Sequence, residues 1–176
     1  ILDHCDFSGA ADETLDLSRS RDFTVQWCTI ANSSVCATCQ TYGFVMAYFP
    51  TTRISVHHNL MANNKFRNGP ETHWGSVAPL DNGRIDYRNN VGYNAFDDIC
   101  YLYLTLEYPP VTDVYLNIVG NYFKAGPMTE TSASGGIAIN DRVQDYSYDN
   151  VWKPMTGGPG SSGGARNRVS TPWPAP

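Results

Sequence analysis

The chain has 176 residues, of which 16% are charged and 12% aromatic, with 15 Gly and 11 Pro; this is the profile of one loop-rich β domain, not of a helical bundle. A net charge of −5 argues against nucleic acid as a partner, and a polyanion would be repelled unless a cation bridged it to the protein. No apolar run approaches the ~18 residues of a membrane span, so no membrane partner is expected, and the chain is expected to be a monomer.

In chain order, Ile1–Phe7 is predicted as a strand closed by a turn at Ser8-Gly9-Ala10. Thr14–Leu17 is a second strand, with Leu15 and Leu17 inward and Asp16 outward. Further strands are expected at Phe23–Ile30, Gly43–Tyr48, Ile54–Ala62, Ser76–Leu80, Ile85–Tyr93, Ile99–Leu106, Val114–Phe123 and Ile137–Ile139. Val35–Gln40 and Asn63–Glu71 read as loops, and Asp81-Asn82-Gly83 as a turn. From Met155 the composition shifts to Gly, Ser and Pro, so residues 151–176 read as a coil tail on a domain spanning 1–150, with Trp173 docking it to the flank.

Four of these strands repeat. Phe23, Ile54, Ile85 and Leu116 open similar segments at a constant interval of 31 residues, and six positions in stand Cys28, Asn59, Asn90 and Asn121. A fixed period with one amide at the same turn marks a solenoid, and because strands repeat, the solenoid is a single-stranded parallel β-helix. Asparagines stacked at the rung spacing can hydrogen-bond up and down as an asparagine ladder. Val25, Val56, Tyr87 and Ile118 are then one interior column. An exposed terminal rung is an open sheet edge, so more sequence is expected upstream of Ile1 and downstream of the tail.

There are five cysteines. Cys5 and Cys28 fall at equivalent places in successive segments, as stacked buried thiols or a disulfide between rungs. Cys36 and Cys39 form a CxxC without a second pair, read as a local disulfide or two free thiols, and Cys100 reads as core.

Two places could carry chemistry. Asp12 and Asp16 share strand parity and point outward, where two carboxylates suit an oxygen-seeking cation such as calcium; the plain alternative is an acidic turn. The polar loop Asn63–Glu71 holds Lys65 and Arg67, two cations in an acidic protein, or two solvated side chains. His57 and His58, adjacent on a strand, are expected to point to opposite faces and so not to share a metal. His57 on the outer face could touch sugar or serve structurally, and His73-Trp74 could form a sugar platform or pack. Gly157–Gly164 lacks the strand–loop–helix context of a phosphate loop.

The ordered set IleLeuAspHisCysAspPhe, AspGluThrLeuAspLeu, PheThrValGlnTrpCys, SerValHisHisAsnLeuMetAlaAsnAsnLysPheArgAsn and AspTyrArgAsnAsnValGlyTyrAsn resembles the pectate lyase family over roughly residues 1–125. The resemblance implies a right-handed parallel β-helix, partial here, secreted, that cleaves polygalacturonate by β-elimination with Ca2+. Carried over by position, Asp12 and Asp16 match calcium-binding acids, Arg67 the base that takes the C5 proton, and Asp3-His4 a structural pair.

The chain departs from that pattern. Asn32–Tyr48 contains no Lys or Arg where the family has a substrate-binding Lys, and Arg67-Asn68-Gly69-Pro70 is followed by Glu71 where it has a second Arg, leaving Lys65 as the nearby substitute. A catalytically impaired carbohydrate-binding β-helix, or a surface solenoid, is therefore the alternative.

Overall fold

The computed structural model describes residues 1–34, 41–46, 52–71, 83–96, 100–102, 114–129, 137–139, 143–153, 167–168 and 171–172. Among these the chain forms short strands and no helix: β1 (Leu2–Asp3), β2 (Asp6–Ser8), β3 (Glu13–Asp16), β4 (Arg21–Gln26), β5 (Thr29–Ala31), β6 (Tyr42–Val45), β7 (Thr52–His57), β8 (Leu60–Ala62), β9 (Phe66–Glu71), β10 (Gly83–Arg88), β11 (Val91–Tyr93), β12 (Cys100–Leu102), β13 (Val114–Val119), β14 (Tyr122–Lys124), β15 (Ile137–Ile139), β16 (Val143–Tyr148), β17 (Val151–Lys153) and β18 (Asn167–Arg168).

The 31-residue interval becomes strand register. A seven-stranded sheet runs β1-β4-β7-β10-β13-β16-β18 and a six-stranded sheet runs β17-β14-β11-β8-β5-β2, every described pair being parallel. Phe23, Ile54, Ile85 and Leu116 pair in turn, as do Val25, Val56, Tyr87 and Ile118. A three-stranded sheet β3-β6-β9 and a two-stranded sheet β12-β15 complete the described set. The architecture is all-β with parallel sheets, consistent with a parallel β-helix.

Each long repeat strand expected from sequence is two strands, broken by a sharp turn. The break falls at Trp27, His58, Asn89, Gly120 and Asp149, all with positive φ near the left-handed region. Gly120 adopts the turn without strain: its φ is 63°, and a Cβ there would lie 2.6 Å from Oδ1 of the exposed Asn89 side chain, which would have to move. The buried Asn follows immediately. Asn59, Asn90 and Asn121 each donate Nδ2 to the next Asn Oδ1, at 3.0, 3.2 and 2.9 Å, the last acceptor being Asn150. Each Nδ2 also donates to a strand carbonyl of the preceding coil, of Val25, Val56 and Tyr87 respectively. The backbone N–H of the residue one coil earlier shares the same Oδ1 acceptors, starting from Cys28 N–H to Asn59 Oδ1 at 2.9 Å. A buried amide left unpaired would cost about 1–3 kcal/mol, so the turn selects Asn.

Between the sheets lies the core. Val25, Ile30, Phe44, Met46, Ile54, Val56, Met61, Tyr87, Leu116 and Ile118 are wholly buried, each large side chain contributing about 1.5–3 kcal/mol by leaving water. On the inner face of the six-stranded sheet Gly92 pairs with Met61 on one side and Phe123 on the other. Tyr87 touches both of those neighbours: its ring stacks on Phe123 with an interplanar angle of 3°, and its hydroxyl donates to Met61 Sδ at 3.4 Å.

Other expectations need correction. Asn63–Glu71 is not simply a loop: its second half is β9, held by pairing to β6. Residues 151–176 are not all coil, because β17 pairs with β14 and β18 with β16. Cys5 and Cys28 are free thiols, with Cys5 N–H donating to Cys28 Sγ at 3.5 Å, so they stack without a bond. Burial pushes the Cys28 thiol up, which keeps it protonated. Cys36, Cys39, the Ser76–Leu80 strand, His73-Trp74 and Trp173 lie outside the described residues. None of the described segments is a helix long and apolar enough to cross a membrane.

Candidate functional site

The three-stranded sheet gathers most of the residues singled out from sequence. In its register Asp16 faces Val45 and Val45 faces Glu71; Leu15, Phe44 and Pro70 form the next row, and Glu13, Tyr42 and Phe66 another. Leu15 and Leu17 are buried while Asp12 and Asp16 are exposed, as strand alternation requires. Arg67 sits on β9 one residue past Phe66, its side chain outside what is described. Its strand lies two strand spacings from β3, about 10 Å across the sheet.

The backbone at Arg67 is irregular. Tyr42 faces Phe66 but Phe44 faces Pro70, so Arg67, Asn68 and Gly69 bulge opposite the single residue Gly43. Bulges of this kind bend a strand and re-aim its side chains, and they gather beside active sites. Lys65 precedes the bulge: its N–H donates to Ser33 Oγ at 2.8 Å, and its Nζ stands 5.1 Å from the Phe66 ring centroid. Phe66 in turn meets Tyr42 and Phe96, giving a small aromatic wall under the strand.

At the other edge three carboxylates crowd one strand. Burial holds the Glu13 carboxyl above the usual carboxylate range, and the charges of Asp12 and Asp16 push it the same way. Asp16 accepts from both the N–H and the hydroxyl of Ser18, which fixes its orientation. Thr14, between them, has a buried hydroxyl with no hydrogen-bond partner among the described residues.

These donors suit a hard, oxygen-seeking cation in kind but not in number. Calcium takes six to eight oxygens, and no group of three or more His, Cys, Asp or Glu suited to a metal occurs among the described residues. Four residues of fully extended strand would separate Asp12 and Asp16 by about 13 Å, and the bend at residues 11–12, before β3, is what can shorten that reach.

His57 is elsewhere. It lies on β7 of the seven-stranded sheet, in register with Gln26 and Arg88, so the fold does not bring it to Arg67. The expectation that His57 and His58 face opposite ways is also corrected: their Nδ1 atoms are 2.9 Å apart, because His58 has left the strand with φ 58° and alternation ends there. His58 stacks on Trp27 at 4.4 Å, and Trp27 on His4 at 6.2 Å, making an exposed aromatic column along the turns. Asp3 Oδ1 accepts from His4 Nδ1 at 2.6 Å.

Sequence reading missed two features. Glu71, which in sequence only replaces an expected Arg, lies in the Asp16 row. A second amide column, Asn32, Asn63 and Asn94, donates Nδ2 to Oδ1 at 3.0 and 2.8 Å from the left-handed region. The same 31-residue interval would have revealed it.

No family model and no solved structure matches the chain. It is similar to curated fungal proteins. The probable pectate lyase C of Aspergillus terreus (strain NIH 2624 / FGSC A1156) is 31% identical over 151 residues, covering 85% of this chain and 32% of that protein. The proteins of the same name from Aspergillus fumigatus (strain CBS 144.89 / FGSC A1163 / CEA10) and Neosartorya fischeri are 31% and 30% identical over 152 residues each, with the same coverage. The chain thus spans about a third of the length of these relatives. Over most of its own length it is a distant relative of proteins named probable pectate lyase C.

Proposed function

We propose that this chain is part of a secreted, right-handed, single-stranded parallel β-helix that cleaves polygalacturonate or a related uronan by β-elimination. The observation that carries the reading is the three-stranded sheet, in which the bulged strand of Arg67 lies one strand removed from the strand ending in Asp16. The distant relatives named probable pectate lyase C support the same class.

In this reading Arg67 is the base. It takes the proton from C5 of the uronate, the electron pair forms the C4–C5 double bond, and the C4–O bond breaks with the leaving oxygen taking up a proton. A guanidine is a base only when deprotonated, against the high intrinsic pKa of the group. Asp12 and Asp16 would contribute carboxylates to a calcium ion whose other ligands come from outside the described residues. When bound, such a cation neutralises the uronate carboxylate and steadies the charge that develops beside it. It also resolves how a protein of net charge −5 approaches a polyacid.

The second reading is a binding β-helix without turnover. It is favoured by the absence of Lys and Arg from Asn32–Tyr48 and by Glu71 after Pro70. The two are separated by incubating the full protein with polygalacturonate and calcium and following the ultraviolet absorbance of the unsaturated uronide. Growth of absorbance that chelation abolishes and Arg67→Ala removes supports the lyase. No growth on any uronan, with binding intact, supports the binding module.

A further inference from the structure

The outer face of the six-stranded sheet is built differently from the rest of this acidic protein. One outward column reads Asp6, Thr29, Leu60, Val91, Tyr122, Val151, and the next reads Ser8, Ala31, Ala62, Tyr93, Lys124, Lys153. Leu60, Val91, Tyr122 and Val151 are each 37–41% exposed, an unbroken apolar stripe across four neighbouring strands. Beside it, Lys124 and Lys153 stand directly opposite each other on adjacent parallel strands, about 4.8 Å apart at the backbone. Both are exposed, and neither forms an ion pair with a described residue. Lys124 Nζ lies 5.8 Å from the centroid of the Tyr93 ring. The acid on this sheet among its described strands is Asp6, on the far edge strand β2.

Like charges directly opposite on a sheet are destabilising, and here they occur where the chain as a whole carries net −5. The arrangement makes sense if an anion neutralises the pair. We propose that this face is a second, non-catalytic holding site for an acidic polysaccharide, with Lys124 and Lys153 taking carboxylates and Tyr122 and Tyr93 lying against the C–H faces of the sugars. A uronan supplies both chemistries: a carboxylate on each sugar and a flat apolar ring face. Ammonium groups engage carboxylates as mobile point charges, which suits a chain that slides rather than one locked in register. The site lies on a different sheet from Arg67 and Asp16 and needs neither catalysis nor calcium.

The test is affinity electrophoresis of the full chain through gels containing polygalacturonate, run with EDTA so that no divalent cation contributes. Wild type should be retarded, and retardation should weaken as salt screens the charges. Lys124→Gln/Lys153→Gln should lower the apparent affinity on the order of tenfold, and Tyr122→Ser should lower it by a smaller factor. Arg84→Gln, which removes an exposed cation from the seven-stranded sheet, should leave it unchanged, with thermal unfolding confirming that every variant is folded. Lys153→Gln alone provides the same readout should the double variant fold poorly. Retention of wild-type mobility by the lysine variants overturns the proposal, as does equal retardation by gels of polyphosphate or anionic phospholipid. Lysine-dependent retardation in a protein that cleaves no uronan would keep this site and discard the lyase reading.

Discussion

Asn90 Oδ1 accepts two hydrogen bonds from Asn59, from its backbone N–H and from its side-chain Nδ2, both at 3.0 Å. One oxygen therefore ties two successive coils, while Asn90 Nδ2 holds the carbonyl of Val56 at 2.9 Å. Asn90→Ala strands the Asn59 N–H and the Val56 carbonyl in a buried turn, and should destabilise the fold by about 2–4 kcal/mol. Asn150→Ala, at the half-buried end of the same series, should cost about 1 kcal/mol. Urea unfolding of the two variants checks this. Equal losses would mean that the amides are not load-sharing by burial.

This column was legible in the sequence because its cause is periodic: one residue type, one turn, one interval. The interior column of Val25, Val56, Tyr87 and Ile118 was legible for the same reason. The break at Trp27 and His58 was not, since tryptophan carries no preference for a positive φ and a single histidine, though enriched there, does not by itself place a turn. That same break explains why His57 and His58 meet when strand parity says they cannot. The site was legible only in its parts. Parity placed Asp12 and Asp16 on one side, but which strand neighbours β3 depends on pairing between residues far apart in the chain, and the bulge at Arg67 leaves no local signature.

Tyr87 bridges Met61 and Phe123, the residues that flank Gly92 in its column. Tyr87→Leu should cost about 2–4 kcal/mol through the cavity it leaves. Tyr87→Phe should cost under about 1 kcal/mol, since a hydroxyl on a thioether sulfur is a weak bond. Gly92→Ala should cost about 1–3 kcal/mol in the wild type by overpacking, and markedly less when combined with Tyr87→Leu. A double-mutant cycle on unfolding free energies measures the coupling. Strict additivity would mean that the two sites do not couple.

Glu13 gives the acidic strand a pH signature. Its folded pKa is raised, first by burial and then by Asp12 and Asp16, so the native state binds its proton more tightly than the unfolded chain does. As pH rises from the ordinary glutamate value through the raised one, native stability falls, and it stays lower above that window. Glu13→Gln should remove this loss, melting higher than wild type at neutral pH and not at pH values below the ordinary glutamate range. A cation on Asp12 and Asp16 offsets the two charges that push Glu13 up, so calcium should shift the Glu13 carboxyl downward. Carboxyl titration by NMR with and without calcium reads this directly. An unmoved Glu13 would count against Asp12 and Asp16 as joint ligands.

His57 should act in the opposite direction. Its folded pKa is lowered, chiefly by burial and then by the charge of His58, with Arg88 adding to the effect and Asp86 and Asp3 opposing it. The contact itself has a preferred proton arrangement. With Asn89 Nδ2 donating toward His58 Nε2 at 3.5 Å, His58 Nδ1–H is left to donate to His57 Nδ1 at 2.9 Å. Protonating His57 at that nitrogen sets two N–H groups face to face. The unfolded chain therefore takes up this proton first, and stability falls as pH drops from about 6.5 toward the lowered value, while remaining flat above. His57→Gln should flatten that slope and leave the Trp27–His58 stack in place. Imidazole shifts followed by NMR should show His57 titrating below the ordinary histidine value, and a His57 that titrates above it would sink the assignment of donor and acceptor.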